Sequence, residues 1–210
     1  MLTHVYWIGG SPGAGKSTIA RRLAAGCGLH LYDTDEAMAD HARRSTPEDS
    51  PELARFAAMD MDERWLDRSP QTMLDTFHWF RGEGFPLIVE DLRALPPVPP
   101  VVAEGFRLLP HLVRPVAAPG HAVWLLPSAD FREAAFARRG STWKIPGRTS
   151  DPPRARRNLL ERDRMFDERI RAEVARLGLP VIEVTTAVTE AGLTARVAEI
   201  FGLTGCAGSP

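Results

Sequence analysis

Gly10-Ser11-Pro12-Gly13-Ala14-Gly15-Lys16-Ser17 is the stretch that decides how this chain reads. It fits G-x-x-x-x-G-K-[ST], the pattern of a phosphate-binding P-loop. The apolar run Val5-Tyr6-Trp7-Ile8 precedes it and reads as a buried strand, and Thr18 to Ala25 follows and reads as a helix. Glycines let the backbone curl so that successive N–H groups converge on phosphate oxygens, and the helix N-terminus adds partial positive charge. The expected nucleotide contacts are therefore Gly10, Ser11, Gly13, Ala14, Gly15, Lys16, Ser17 and Thr18. Lys16 suits the β- and γ-phosphates, and the Ser17 hydroxyl suits Mg²⁺. Of 26 basic residues only Lys16 and Lys144 are lysines, so the motif lysine is not a by-product of a lysine-rich composition.

Outward from this loop, strand and helix signals alternate. Leu29 to Tyr32 reads as a second strand that ends at Asp33-Thr34-Asp35, and Val101-Val102-Ala103 as a third that closes on Glu104-Gly105. Ala122 to Leu126 and Val181 to Val184 read as the fourth and fifth. Between Glu36 and Pro100 the chain reads mostly helical. Ser50-Pro51 and Ser69-Pro70 have the form of an N-cap followed by proline at the first helical position. The first of these helices is expected to carry Leu53, Phe56 and Met59 inward and to run on to Trp65 or Leu66. The second carries Met73, Phe77 and Phe80, before Gly82 and Gly84 break it. Leu87-Ile88-Val89 is read as helix, because Ile88, Leu92 and Leu95 keep helical spacing. A further helix is expected to begin between Leu108 and Val113. Asp151-Pro152 opens a long helix with Leu159, Phe166, Ile170, Val174 and Leu177 on one face, and Leu193, Val197 and Ile200 mark a last one. Five strands separated by helices predict a parallel sheet covered on both faces, with ligands at the C-terminal strand ends.

Composition narrows the function classes. At 210 residues and 44% hydrophobic, the chain is expected to be one domain with a substantial core. A net charge of −1 argues against a nucleic-acid partner or an anionic membrane surface. Cys27 and Cys206 form no CxxC pair, and the six histidines lack metal-ligand spacing. No run of 18 apolar residues is present, so no membrane span is expected. The sequence opens on a strand rather than a basic and apolar leader, which points to a cytoplasmic location. Gly205 to Pro210 reads as a disordered tail.

The strand ends gather chemistry-bearing residues. Asp33 can orient or deprotonate an acceptor hydroxyl, and Asp35 can bind the acceptor. Glu104 can hold Mg²⁺ through water alongside Ser17, and Arg107 can bind substrate phosphate or carboxylate. The segment from Arg138 to Arg157 is rich in arginine, glycine and proline and reads as a lid over the phosphates. Within it Arg138 is expected beside the nucleotide, Arg139 and Arg154 over the transferring phosphoryl group, and Arg157 at the substrate. Phe56, Met59, Met61, Trp65, Phe77, Trp79 and Phe80 are expected mostly in the core, with a minority lining a substrate pocket.

With these residues in view, the chain resembles the small P-loop kinases, the group of shikimate, gluconate and nucleoside monophosphate kinases, and its texture resembles kinase-like ATP-binding proteins. Asp33-Thr34-Asp35 is similar to the D-x-D of shikimate-type kinases, whose first acid lies near the accepting hydroxyl and Mg²⁺. Glu104-Gly105-Phe106-Arg107 is similar to the D-G-F-P-R of adenylate kinases, with Glu for the acid and no proline. The glycine-rich triplet of shikimate kinases after strand three is absent, as is the Thr-Gly-Asp of adenylate kinases after strand two. The resemblance implies an α/β, three-layer P-loop NTPase fold. It divides into a core of residues 1–35, 101–137 and 154–204, a helical substrate-binding insertion at 36–100 and a lid at 138–153. It further implies ATP and Mg²⁺ as cofactors and transfer of the γ-phosphate to a hydroxyl of a small molecule. A nucleoside or nucleotide kinase and a non-catalytic ATP-binding regulatory module are the alternatives, and a homodimer is left open.

Overall fold

The computed structural model describes residues 1–139 and 144–203, without the side chains of residues 133 and 136–139. The elements run β1 (Val5–Gly10), α1 (Lys16–Cys27), β2 (His30–Asp33), α2 (Met38–Arg44), α3 (Pro51–Ala58), α4 (Met61–Trp65) and α5 (Pro70–Thr76). After a 3-10 turn at His78–Arg81 come α6 (Phe85–Ala94), β3 (Val101–Glu104), α7 (Pro110–Val113), β4 (Ala122–Pro127) and α8 (Ala129–Arg139). A second 3-10 turn at Pro146–Arg148 leads to α9 (Pro152–Leu177), β5 (Val181–Val184) and α10 (Glu190–Ile200).

The five strands form one all-parallel sheet in the order β2-β3-β1-β4-β5, with β1 at its centre. The alternation of strand side chains splits the core into two layers. Val5, Trp7, Val101, Ala103, Trp124 and Leu126 face a layer completed by α6, α9 and the helical stretch 51–80. Ile8, Val102, Val123, Leu125, Ile182 and Val184 face the other, completed by α1 and α10. This is the expected three-layer arrangement, and Leu87 to Val89 lies in α6 as read from its spacing.

Local chemistry explains the element boundaries in 36–100. Ser69 accepts from the Thr72 N–H and starts α5 at Pro70. The helix begun at Pro51 does not run on to Trp65. Asp60 forms a capping box with Glu63, and that second helix start divides the stretch into α3 and α4. The helix expected from Leu108 is a single turn, Pro110–Val113. Asp151 caps α9 by accepting from the Arg154 N–H, and left-handed Gly178 ends it. No helix among the described residues is long and apolar enough to cross a membrane. Gly205 to Pro210 and Cys206 lie outside the described residues.

Candidate active site

The loop after β1 is shaped by glycines, one fixed by space and two by backbone conformation. Gly10 has φ 132, and a Cβ there would stand 2.0 Å from the Leu125 carbonyl oxygen on β4. Gly13 and Gly15 adopt left-handed backbone at φ 85 and φ 79. Gly15 is also the N-cap of α1, and no side chain caps that helix, so its first-turn amides can take an anion. The Lys16 ammonium donates to the Ser11 carbonyl at 2.9 Å, within the loop it belongs to.

Glu104 ends β3 in register with Ile8 on β1 and Asp33 on β2, which brings an acid from the end of each of the two strands on that side of β1 beside the P-loop. Glu104 is 2% exposed. Burial pushes its pKa up to about 7, against the pull of the Lys16 charge and of the Ser17 hydroxyl that donates to it; Asp33 and Asp35 add to the rise. Ser17 and Glu104 thus stand together as oxygen donors for a hard cation. No group of three metal-ligating residues exists among the described residues.

A cavity of about 520 Å³ opens from this cluster. Pro12, Gly13, Gly15, Lys16, Ser17, Thr18, Asp35 and Glu104 line one end. Met38, Phe56, Trp65, Phe77, His78, Trp79, Phe80, Phe106, Ile145, Arg162 and Asp163 line the rest. Five of the seven large apolar residues singled out between Phe56 and Phe80 therefore line the cavity, not a minority; Met59 and Met61 do not. A second cleft of about 330 Å³ borders the same loop at Gly13, Gly15 and Thr18 and is walled by Phe131, Val184, Val188 and Leu193.

The two acids after β2 separate in role. Asp33 turns back on its own loop: its Oδ1 accepts from the Asp35 N–H at 2.8 Å, and its Oδ2 lies 3.9 Å from Arg21. Asp35, one step on, lines the cavity.

Arg107, expected at the substrate, is instead an interior residue, 2% exposed. It donates to the Thr34 carbonyl at 3.0 Å and to His41 Nδ1 at 2.8 Å, and its guanidinium lies 4.0 Å from the Trp79 ring centroid. Burial lowers its pKa to about 10. Because Nδ1 of His41 accepts, Nε2 carries the proton and donates to Asp91 at 2.7 Å, where the Tyr32 hydroxyl also donates at 2.6 Å. The network joins the loop after β3 to β2, α2 and α6, so Arg107 fastens the helical stretch to the sheet edge. Arg154 and Arg157 are exposed on the first turns of α9 and do not line the cavity. Arg138 and Arg139 close α8, and their side chains lie outside the described residues. Of the 138–153 segment, Ile145 reaches the cavity and the Ser150 N–H donates to Asp62 at 2.8 Å.

Three charged residues of α9 were not anticipated. The Ser11 hydroxyl donates to Asp167 Oδ1 at 2.5 Å, and Asp167 Oδ2 receives Arg132 and Arg171, each at 2.8 Å. Arg162 and Asp163, both under a tenth exposed, line the cavity. The signal was present: Asp163 and Asp167 fall on the same helical stripe as Leu159, Phe166 and Ile170, and acids inside an apolar stripe are buried acids that need partners.

A profile of the shikimate kinase family matches residues 12–50. A shikimate kinase of Rhodococcus jostii is 56% identical over 39 residues, which is 19% of this chain and 23% of the relative. One of Mycobacterium ulcerans is 56% identical over 39 residues, 19% of this chain and 21% of the relative. The chain thus spans under a quarter of the length of the shikimate kinases it matches. Among solved structures, a gluconokinase from Sinorhizobium meliloti aligns over 96% of this chain and 92% of its own, at 18% identity and a TM-score of 0.45. A sugar kinase from Janibacter aligns over 99% of both chains, at 14% identity and a TM-score of 0.43.

Proposed function

We propose that this chain is a Mg²⁺- and ATP-dependent phosphotransferase that moves the γ-phosphoryl group to a hydroxyl of a small molecule. The observation that carries the reading is one cavity that joins the P-loop, the acids Asp35 and Glu104 and a pocket walled by the helical stretch. A regulatory nucleotide-binding module has no need of an acceptor chamber continuous with the phosphate site. The match of residues 12–50 to shikimate kinases covers the P-loop from Pro12 on, α1, β2 and the Asp33-Thr34-Asp35 turn, which are the donor side and the acid beside it.

In this reading the amides of the loop and of the first turn of α1 hold the phosphates, and the cleft at Phe131, Val184, Val188 and Leu193 takes the base. Ser17 and Glu104 hold Mg²⁺, Glu104 through water; the ion supplies charge neutralisation on the transferring group. Lys16 turns from the Ser11 carbonyl to the phosphates. The acceptor oxygen forms the new bond to phosphorus, the bond from phosphorus to the β,γ-bridging oxygen breaks, and ADP leaves. The hydroxyl proton passes to a carboxylate at the cavity, Asp35, which Asp33 holds through its amide. Helix α9, through Asp167, holds Ser11 and so keeps the loop in its open curl.

The test is ADP release and acceptor-bound phosphate across a metabolite library. Lys16→Ala is expected to abolish turnover, a loss of at least about 100-fold, with an unchanged circular dichroism spectrum. Turnover that survives this substitution places the donor site elsewhere.

A further inference from the structure

The acceptor end of the cavity is apolar and ringed. Phe56, Trp65, Phe77, Trp79, Phe80 and Phe106 present aromatic surface to it. Arg64 and Arg107 cover Phe56 and Trp79 from outside the cavity, and Arg162 is the arginine that lines it. The Arg162 guanidinium lies 5.1 Å from the ring centroids of Phe77 and Phe80 and 5.3 Å from that of Trp65. Its Nε and Nη2 both donate to Asp163 Oδ1, at 2.9 and 2.6 Å, so its charge is already matched. Its Nη1 is buried with no hydrogen-bond partner among the described residues. His78, the other ionisable group at this end, is held neutral: burial first, then the charges of Arg107, Arg64 and Arg68, push its pKa down to about 3.

These observations select among alcohols. Polar partners at this end are confined to Arg162, Asp163 and His78 against six aromatic rings, so hydroxyls of a polyol or sugar acid that reach none of these three would stay unpaired, at about 1–3 kcal/mol each. A carboxylate would meet a guanidinium whose charge is already neutralised by Asp163. A flat ring meets the walls face and edge, which aromatic pairs favour. One oxygen on that ring would satisfy Arg162 Nη1, whose burial without a partner is otherwise costly.

We propose that the phosphate acceptor is an uncharged aromatic alcohol: a ring lying against the wall that Phe56, Trp65, Phe77 and Phe80 form by packing on one another, a ring-borne oxygen accepting from Arg162, and the hydroxyl directed to Asp35 and the P-loop. This rests on the phosphotransfer reading for the reaction but on the walls and Arg162 for the ligand. The test therefore has two readouts. Trp65 and Trp79 line the cavity, so ligand entry is read as saturable change in tryptophan fluorescence without ATP. Phosphorylation is read as ADP release with Mg²⁺ and ATP.

The probes are benzyl alcohol and para-methoxybenzyl alcohol against gluconate, shikimate and sorbitol. Saturable binding of the aromatic alcohols and a kcat/KM at least about tenfold above that for the polyols and acids is expected. The methoxy compound is expected to bind tighter than benzyl alcohol, and Arg162→Lys to erase that difference. Phe56→Leu is expected to raise KM for the aromatic alcohols roughly threefold to tenfold, with KM for ATP unchanged. Preferred turnover of a polyol or acid overturns the proposal and leaves the kinase reading standing. Saturable binding of aromatic alcohols with no Lys16-dependent product from any acceptor supports the ligand assignment and overturns phosphotransfer. Absence of saturable binding by either aromatic alcohol overturns the proposal outright.

Discussion

Gly105 follows the cation-binding candidate Glu104 at φ 149, and a Cβ there would lie 1.7 Å from Thr34 Oγ1. The loops after β2 and β3 touch through this glycine, and any side chain would force Asp33 and Asp35 away from Glu104. Gly105→Ala is expected to destabilise by roughly 3 kcal/mol or more, from overpacking and left-handed strain together, measured by urea unfolding. Asp167 acts differently. It does not line the cavity, yet it holds Ser11 of the P-loop and pairs with Arg132 and Arg171. Asp167→Asn keeps the shape and removes the charge. A higher KM for ATP, with stability lower by about 1–3 kcal/mol, is the expected result, read by initial rates and thermal melting. The glycine pattern of the P-loop was legible from its spacing. The acids of α9 were not used, because their periodic position in an apolar stripe says that they are buried but not what they meet.

At the scale of elements, short helices in the stretch 36–100 are held by caps rather than by length. Helices of seven or eight residues, such as α3 and α5, are too short to persist alone in water. Ser69 fixes where α5 begins, and α5 lies against α9 and supplies Met73 and Leu74 to the core. Ser69→Ala is expected to cost about 1 kcal/mol, seen as a lower urea midpoint with an unchanged slope. The cap at Ser69 was readable from Ser-Pro-Gln. The break between α3 and α4 was equally written, in Asp60 and Glu63 three residues apart, but the apolar spacing from Leu53 to Trp65 outweighed it in the sequence reading. Arg107 shows the opposite limit. Its place after a strand end suggested phosphate, whereas its actual partners, His41, Thr34 and Trp79, come from three separate segments of the chain.

For the whole molecule, the layer between the sheet and the helical stretch contains two buried neutral imidazoles. Burial lowers the pKa of His41, and His78 falls to about 3 from an ordinary value of 6.5. Between these limits the unfolded chain binds protons that the folded chain excludes. The stability these two groups contribute is therefore complete above about pH 6.5 and falls as the pH drops below it, at up to about 1.4 kcal/mol per pH unit for each, while Glu104, whose pKa burial raises to about 7, takes up a proton in the folded chain over the same range and works in the opposite sense. Urea unfolding of the wild type and of His78→Gln at pH 7 and pH 5 isolates the histidine part: the change in stability on acidification is expected to be less unfavourable in the variant by up to about 1.4 kcal/mol per pH unit. Protonation of His41 also ends its acceptance from Arg107, so the same acidification loosens the network that fastens the helical stretch to the strand ends. The strands, the P-loop, the caps and the parallel sheet were all contained in local pattern, because hydrophobic period, glycine and proline act over a few neighbouring residues. Three things needed the folded chain: that Asp35 rather than Asp33 faces the cavity, that Arg107 is structural, and that Arg162 stands among aromatic rings. Each depends on contacts between segments far apart in sequence, and side-chain spacing along one segment carries no information about which distant surface it will meet.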